Sequence, residues 1–402
     1  MKRKSAMKIF VMGAGVGILI CLIMIFLLQL LGVIPKWWNT SLADDIYKRV
    51  SVVEAYIDKY YWKDDISDQK MSEYAAKGMV SALEDKYSMY YTKQEYEDSM
   101  TSVNGDYNGI GATVQMNNET KEKIVIELQK GAPAEKAGVK VGDVIVMING
   151  EDVSEKSLDD TVAMIKGENG KKSILTVVRK ENDKEVKKEI TVVAEKIIIQ
   201  SVSSKMLENA IGYIQISSFD KETINQFSKA IENLDKQGQK GMILDVRDNG
   251  GGSLEAVIAM LDELLPKGIL ITEKSKLKGD TVYESSDKKH FDKPMVVLIN
   301  GNSASASEVF AGTLQDRKVA SLVGVKSYGK GVVQTIFSLQ NSVGGGLKLT
   351  TGEYFLPSGR SIHEEGLTPD VTEEYTGTSK ELGKEDDNQL KRAIEIVKVK
   401  MQ

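Results

Sequence analysis

From Ser41 onward the spacing of apolar residues changes twice along the chain. Up to about Gly105 it is helical: Val50, Val53, Ala55, Tyr56 and Tyr60 form one stripe, and Met71 to Leu83 suggests another, among many charges and tyrosines. Region 35–105 therefore reads as a helical packing or dimer-contact segment. Between 106 and 192 short strand-like runs take over. "YNGIGATV" leads from a glycine loop into a strand, and "GAPAEKAG" reads as a short helix with Pro133 early and Gly138 at its end. "VGDVIVMING" is a strand closed by the Asn149-Gly150 hairpin signal. Ser157, with Asp160 three residues on, opens a helix carrying Leu158, Val162 and Ile165, and "SILTVVR" is a further strand.

The third regime, 193–376, alternates. Strand-like runs such as "IGYIQISSF", "GMILDVRDN", "PMVVLIN" and "ASLVGV" are separated by helical stretches at 221–236, 253–265 and 305–316. That order predicts an α/β domain around a buried sheet. A polar linker and an amphipathic helix, roughly Asn388 to Val399, fill 377–402. The whole is an α+β multidomain chain.

Ahead of Ser41 the pattern is of another kind. Ile9 to Ile34 carries no charge, and Gln29 is its only strongly polar residue. As a helix it would extend about 39 Å at ~1.5 Å per residue, enough for a ~30 Å hydrocarbon core. Lys2, Arg3, Lys4 and Lys8 precede it, and Lys36, Trp37 and Trp38 follow at the expected interface. Residues 1–8 are then a cytoplasmic tail, 9–34 a transmembrane helix, and the rest lies outside the cytoplasm. A signal peptide cleaved at Ser41-Leu42-Ala43 fits less well, because the apolar run is too long and the site too far beyond it.

With 53 basic and 58 acidic residues well mixed along the chain, no block beyond the N-terminus suits a nucleic-acid backbone, so nucleic acid is not an expected partner. Cys21, the only cysteine, lies inside the apolar run and leaves the external part no disulfide or thiolate site.

Three loops at the ends of predicted strands carry the candidate chemistry. "LDVRDNGGGSLEAV" (244–257) has three glycines whose N–H groups can point into a cleft as an oxyanion hole, or simply make a turn. Asp245 and Asp248 read there as a strand-end cap and an ion-pair partner of Arg247. "LINGNSASASEVFAG" (298–312) leads into a helix whose N-terminus favours developing negative charge. Ser305 and Glu308 have capping-box spacing, so a helix cap is the plain alternative. The motif alone does not say which of Ser303, Ser305 and Ser307 acts.

A nucleophilic serine needs a base. His290 and His363 are the only histidines, neither in a triad-like setting, and zinc-ligand pairs are absent. Lys330 in "GVKSYGKG" (324–331) is the remaining candidate. A phosphate-binding loop would need Ser or Thr where Gly331 stands and a helix where the strand-like "VVQTIFSL" follows. As a base, Lys330 must be held well below the ~10.4 of a free lysine by burial, with Gly329 and Gly331 letting backbone crowd in. No metal, nucleotide or other cofactor is expected.

Two resemblances follow from these motifs. Residues 106–192 resemble a PDZ domain, which implies that Gly109, Ile110, Gly111 and Ala112 receive a peptide's C-terminal carboxylate. From about residue 45 onward, "GIGA", "PAEKAG", "DVRDNGGG", "SASASE", "YGKG" with Gln334, and residues 357–370 together resemble the carboxyl-terminal processing peptidases, PDZ-containing Ser–Lys proteases also called tail-specific proteases. That resemblance implies an α/β core of the ClpP/crotonase-like kind, Ser305 as nucleophile, Lys330 as general base and Gln334 as its support. The oxyanion amides it implies are those of Ala306 and Gly251. Substrates would be proteins or peptides with free, apolar C-termini. The family's usual Gly before the Ser-Ala repeat is Asn302 here, which tolerates the same left-handed backbone. Lys330 and Gln334 would lie about 13 Å apart on a straight strand, so their contact needs a bend, which Gly331 supplies.

Overall fold

The computed structural model describes Met24 and residues 42–402, apart from 64–65, 183, 277, 287–289, 378–381 and 385. The span expected over 9–34 falls outside these residues, Met24 excepted. Among the described residues no helix is long and apolar enough to cross a membrane. The chain divides into two compact units, up to Met79 and from Val80 on.

In the first unit the two helical stripes become helix Leu42–Tyr60 and most of helix Asp68–Ser81. Their apolar residues stay largely exposed: Val53, Tyr56 and Tyr74 are each more than half accessible. Val50, Val53, Ile57, Met71, Tyr74 and Ala75 line a groove between the helices.

The second unit holds a six-stranded sheet in the order Val202–Leu207, Ile211–Ile216, Gly241–Asp245, Met295–Ile299, Ala320–Gly324, Val371–Thr372. All neighbours are parallel except the first pair. Period-two alternation buries both faces. Met242, Leu244, Val297 and Ile299 pack against helices Lys221–Lys236, Leu254–Leu264 and Ala306–Asp316. Ile243, Val296 and Leu298 pack on the opposite side against Leu390, Ala393 and Val397 of helix Asn388–Lys400. The expected strands and helices of this region are therefore present, although the runs beginning at Ile211 and Gly241 leave the sheet three and four residues before their expected ends.

A buried ion cluster ties the C-terminal helix to the sheet. Arg247 donates to Asp245 (2.6 and 2.9 Å), to Asp387 (2.6 and 3.1 Å) and to Gln389 (2.8 Å). Asp245 and Asp387, rather than Asp248, are thus the ion-pair partners of Arg247 among the described residues, and Asp245 also accepts from Tyr213 (2.7 Å). Removing one member of such a buried set leaves a charge unpaired, at a cost on the order of 3–5 kcal/mol.

A second sheet, which the sequence pattern did not reveal as a unit, joins Met89–Tyr91, Gly346–Phe355, Gly268–Ser275 and Gly279–Ser285. Val332–Ser338, the strand expected after Lys330, pairs with Gly346–Phe355.

The module near 106–192 is a sheet in the order Ala112–Met116, Lys123–Leu128, Val144–Ile148, Lys172–Glu181, Lys184–Val193, with Glu151–Asp152 on its third strand. Val125, Ile145, Ile148, Leu175 and Val177 form its core. Helix Pro133–Ala137 starts on its proline, and Ser157 caps helix Leu158–Ile165 through the Asp160 N–H (3.0 Å). Strand Ala112–Met116 is an edge. Asp106–Gly109 pairs with Glu195–Ile198, so the two ends of the module are joined as a ribbon.

Candidate active site

The three candidate loops meet at the carboxyl ends of three adjacent parallel strands, where α/β sheets place their sites. Asn249 stitches the first two together. Its Nδ2 donates to Ile216 O (2.9 Å), while its carbonyl accepts the Ala304 N–H (3.1 Å) and the Ser307 hydroxyl (2.8 Å). Asp248 adds a second stitch by accepting from Asn300 (2.9 Å) and Asn302 (2.8 Å). Asn302 is not left-handed, contrary to expectation. The positive φ falls at Asp248 and Ser305 instead.

This framework separates the three serines. Ser303 and Ser307 are fully buried, and their hydroxyls donate to Val246 O and Asn249 O, both at 2.8 Å. Ser305 is the exception. It has φ 56° and ψ −115°, strained for a residue with a Cβ, at the turn from strand to helix. Its hydroxyl makes no cap bond, although Glu308 returns to its N–H (2.8 Å). Ser305 and Glu308 thus have the capping-box arrangement, with the Glu308 N–H bonded to the Ser305 carbonyl oxygen (2.8 Å), and the Ser305 Oγ has no cap hydrogen bond among the described residues. A strained strand-to-helix turn presents the nucleophilic serine of α/β-hydrolases in the same way.

Ala306 opens the helix, and its N–H donates to no acceptor among the described residues. Gly251 lies against both: a Cβ there would stand 3.0 Å from Ala306 N and 3.0 Å from Ser305 Cβ, so only glycine keeps this space open. Its own N–H, however, donates to Asn249 Oδ1 (2.8 Å). Gly251 is placed as expected, but its amide is engaged.

Lys330 is half-buried. A Cβ on Gly331 would stand 2.5 Å from His363 N, so glycine there admits the 362–366 turn against the Lys330 loop, as the flanking glycines suggested. Burial first, then Lys348, push the Lys330 ammonium down to about 8. Asp85 and Glu308 oppose the shift, and Lys86 adds to it. Its Nζ makes no hydrogen bond or ion pair among the described residues and sits over the Tyr87 ring, 4.7 Å from the centroid. Gln334 does not reach it. The Gln334 Nε2 donates to Val332 O and Thr350 Oγ1, both at 3.3 Å. The chain does bend here, but the irregularity lies at Val333/Gln334 rather than at Gly331.

In the small module, the Ile110 and Gly111 N–H groups donate to no acceptor among the described residues, while their carbonyls accept from Ala134 and Gln129 (2.9 Å each). Gly109 ends the ribbon strand and Ala112 begins the edge strand, so the free amides open beside an unpaired sheet edge.

Comparison with known proteins bears on this arrangement. Residues 210–373 match peptidase family S41 and residues 124–179 match the PDZ domain family. The chain is 34% identical over 322 residues to the carboxy-terminal processing protease CtpA of Bacillus subtilis, covering 80% of this chain and 67% of that one. It belongs to peptidase family S41, the C-terminal processing serine proteases. CtpA-like serine proteases of Staphylococcus aureus are 36% identical over 337 residues, 83% of this chain but only 64% of theirs, so the chain spans under two thirds of their length. An S41 protease of Bacteroides fragilis shares the fold at 15% identity, with a TM-score of 0.51 over 91% of this chain and 99% of that one.

The S41 match includes Ser305, Glu308, Lys330 and Gln334, while Tyr87 lies outside it. Sequence reasoning treated Glu308 only as a capping partner and passed over Asp85 to Tyr87 altogether. Glu308 had one signal, its spacing from Ser305. The 85–87 segment had none, because only the fold brings it to Lys330.

Proposed function

We propose that this S41 protease is a membrane-anchored, ATP-independent serine endopeptidase that acts outside the cytoplasm on proteins selected through their C-terminal tails. The observation that carries the reading is the pairing of an uncommitted Ser305 hydroxyl on a strained turn with a half-buried lysine held near 8. Ser305 Oγ attacks the scissile carbonyl carbon as neutral Lys330 Nζ takes its proton. The tetrahedral oxyanion faces the free Ala306 N–H at the helix N-terminus. Lys330 then returns the proton to the leaving amine as the C–N bond breaks, and water releases the acyl group by the same route. In this scheme Gln334 supports Lys330 after leaving Val332 and Thr350, and Gly251 joins the oxyanion hole by releasing Asn249. The parallel strands carrying the site on their carboxyl ends support a ClpP/crotonase-like core.

The Gly109–Ala112 amides beside an open sheet edge support capture of a free carboxylate followed by apolar tail residues. The charge-free run Ile9–Ile34 after four basic residues supports the anchor. The apolar faces left exposed on helices Leu42–Tyr60 and Asp68–Ser81 support a homodimer contact. The deciding experiment compares peptide hydrolysis by wild-type, Ser305→Ala and Lys330→Ala proteins, each shown to be folded. Turnover should vanish in both variants. Persisting turnover in either one rejects the Ser–Lys scheme.

A further inference from the structure

Resting on the Ser–Lys reading, we propose that Glu308 is the positioning residue that holds the nucleophile's turn and the base's loop in register. Glu308 is fully buried, and its carboxylate accepts four hydrogen bonds. Oε2 accepts the Ser305 N–H and the Lys330 N–H, each at 2.8 Å. Oε1 accepts the Gly329 N–H at 2.7 Å and the Ser327 hydroxyl at 2.5 Å. A helix cap explains only the first of these. The other three donors lie 19 to 22 residues further along the chain, on a different loop.

The geometry has a direct consequence. Ser305 N and Lys330 N share one acceptor atom, so they lie within twice 2.8 Å of each other and cannot drift apart without breaking a charge-assisted bond in a dry interior. Ser327 extends the clamp by accepting the Leu367 N–H (2.6 Å), which fixes the segment packed over Gly329 and Gly331. Nucleophile and base are thereby pre-set as one piece, the condition under which proton transfer accompanies attack without reorganisation.

Glu308 also acts by charge. The groups bearing on Lys330 are Lys348 and Lys86, which favour its neutral form, and Asp85 and Glu308, which favour the ammonium, with the Tyr87 ring against its Nζ. Loss of the Glu308 charge should therefore move the titration of Lys330, while loss of the clamp should lower kcat with little change in KM.

The test uses the full-length protein in detergent as wild type, Glu308→Gln, Glu308→Asp and Glu308→Ala. Two quantities are read: the rate of Ser305 modification by a fluorophosphonate against pH, and kcat and KM on a peptide. Gln keeps one acceptor oxygen and loses the charge, so the limb governed by Lys330 should move to lower pH by ~0.3–1 unit. Its plateau should fall about tenfold. Ala removes the clamp, and kcat should fall about 10²–10³-fold with KM within about threefold, the pattern of lost positioning. Asp, one methylene shorter, should fall between Ala and wild type. Folded Gln and Ala variants with wild-type limb and plateau overturn the proposal. If Ala does not fold, the Gln limb decides. A wild-type protein not modified at Ser305, or a Lys330→Ala protein that still turns over, sinks the Ser–Lys reading itself and is told apart by that control.

Discussion

Lys330 Nζ lies 4.7 Å from the centre of the Tyr87 ring, which covers the ammonium from a segment almost 250 residues away in sequence. Two effects of that ring oppose each other. A cation–π contact favours the ammonium by ~0.5–2 kcal/mol. Exclusion of water disfavours it, and burial is the leading cause that holds this lysine at about 8, an effect on the order of 2 kcal/mol once the solvent reaching a half-buried group is allowed for. Exclusion should win. Tyr87→Ala is therefore expected to admit water and move the pH–rate limb toward the alkaline side, while Tyr87→Phe, which keeps the ring, stays near wild type. A limb moving to lower pH in Tyr87→Ala would show that the cation–π contact dominates.

The same lysine links activity to stability. Only its neutral form is a base, so hydrolysis should rise as pH passes through about 8. Lys330→Arg should be inactive at every pH, since a guanidinium does not deprotonate in a protein. Because the folded value lies below the unfolded one, the folded chain binds fewer protons between about 8 and 10.5. The stability contribution of this group therefore rises with pH across that window, and the cost of the buried ammonium is full below it. Lys330→Met should raise the unfolding free energy at pH 7 by on the order of 2 kcal/mol, a gain that fades above pH 10.5. Denaturant titrations at the two pH values check the sign.

For the serines, opposite signatures are expected. Ser303→Ala and Ser307→Ala each delete a buried hydroxyl bonded to a backbone carbonyl, so they should lose ~1–2 kcal/mol of stability and keep measurable turnover. Ser305→Gly should be inactive yet more stable than Ser305→Ala by about 1 kcal/mol, because glycine adopts φ 56° without strain. Equal stability of the Gly and Ala variants would mean that the turn stores no strain.

Much of the core was legible because its signals are local. Apolar runs buried on both faces gave the strands Gly241–Asp245 and Met295–Ile299, and the Asp220 and Ser253 caps mark helices that begin where the pattern begins. Lys330 was singled out by elimination as the candidate base, whereas the Ser-Ala repeat left three serines open and only the family resemblance chose Ser305 among them. Two kinds of fact were not. The second sheet is built from strands distant in sequence, Met89–Tyr91 pairing with Gly346–Phe355, and no local period announces such pairing. Partners set by tertiary contact were equally hidden: Gln334 shares a strand face with Lys330 on paper, yet its side chain turns to Val332 and Thr350. The amide of Gly251 was expected to be free, but Asn249, two residues before it, accepts its proton.

The PDZ domain carries the last prediction. Its Ile110 and Gly111 N–H groups are unengaged and lie where the edge strand Ala112–Met116 begins, so a bound tail would add as a strand with its terminal carboxylate at those amides. A carboxylate accepting two N–H bonds gains charge-assisted hydrogen bonds that an amide cannot match, a difference of ~1–2 kcal/mol. Amidating a substrate's C-terminus should thus raise KM about five- to thirtyfold, with a smaller effect on kcat, provided cleavage depends on capture at this site. If wild type cleaves both forms of several substrates equally well, the protease does not select its targets by their tails, whatever the domain binds.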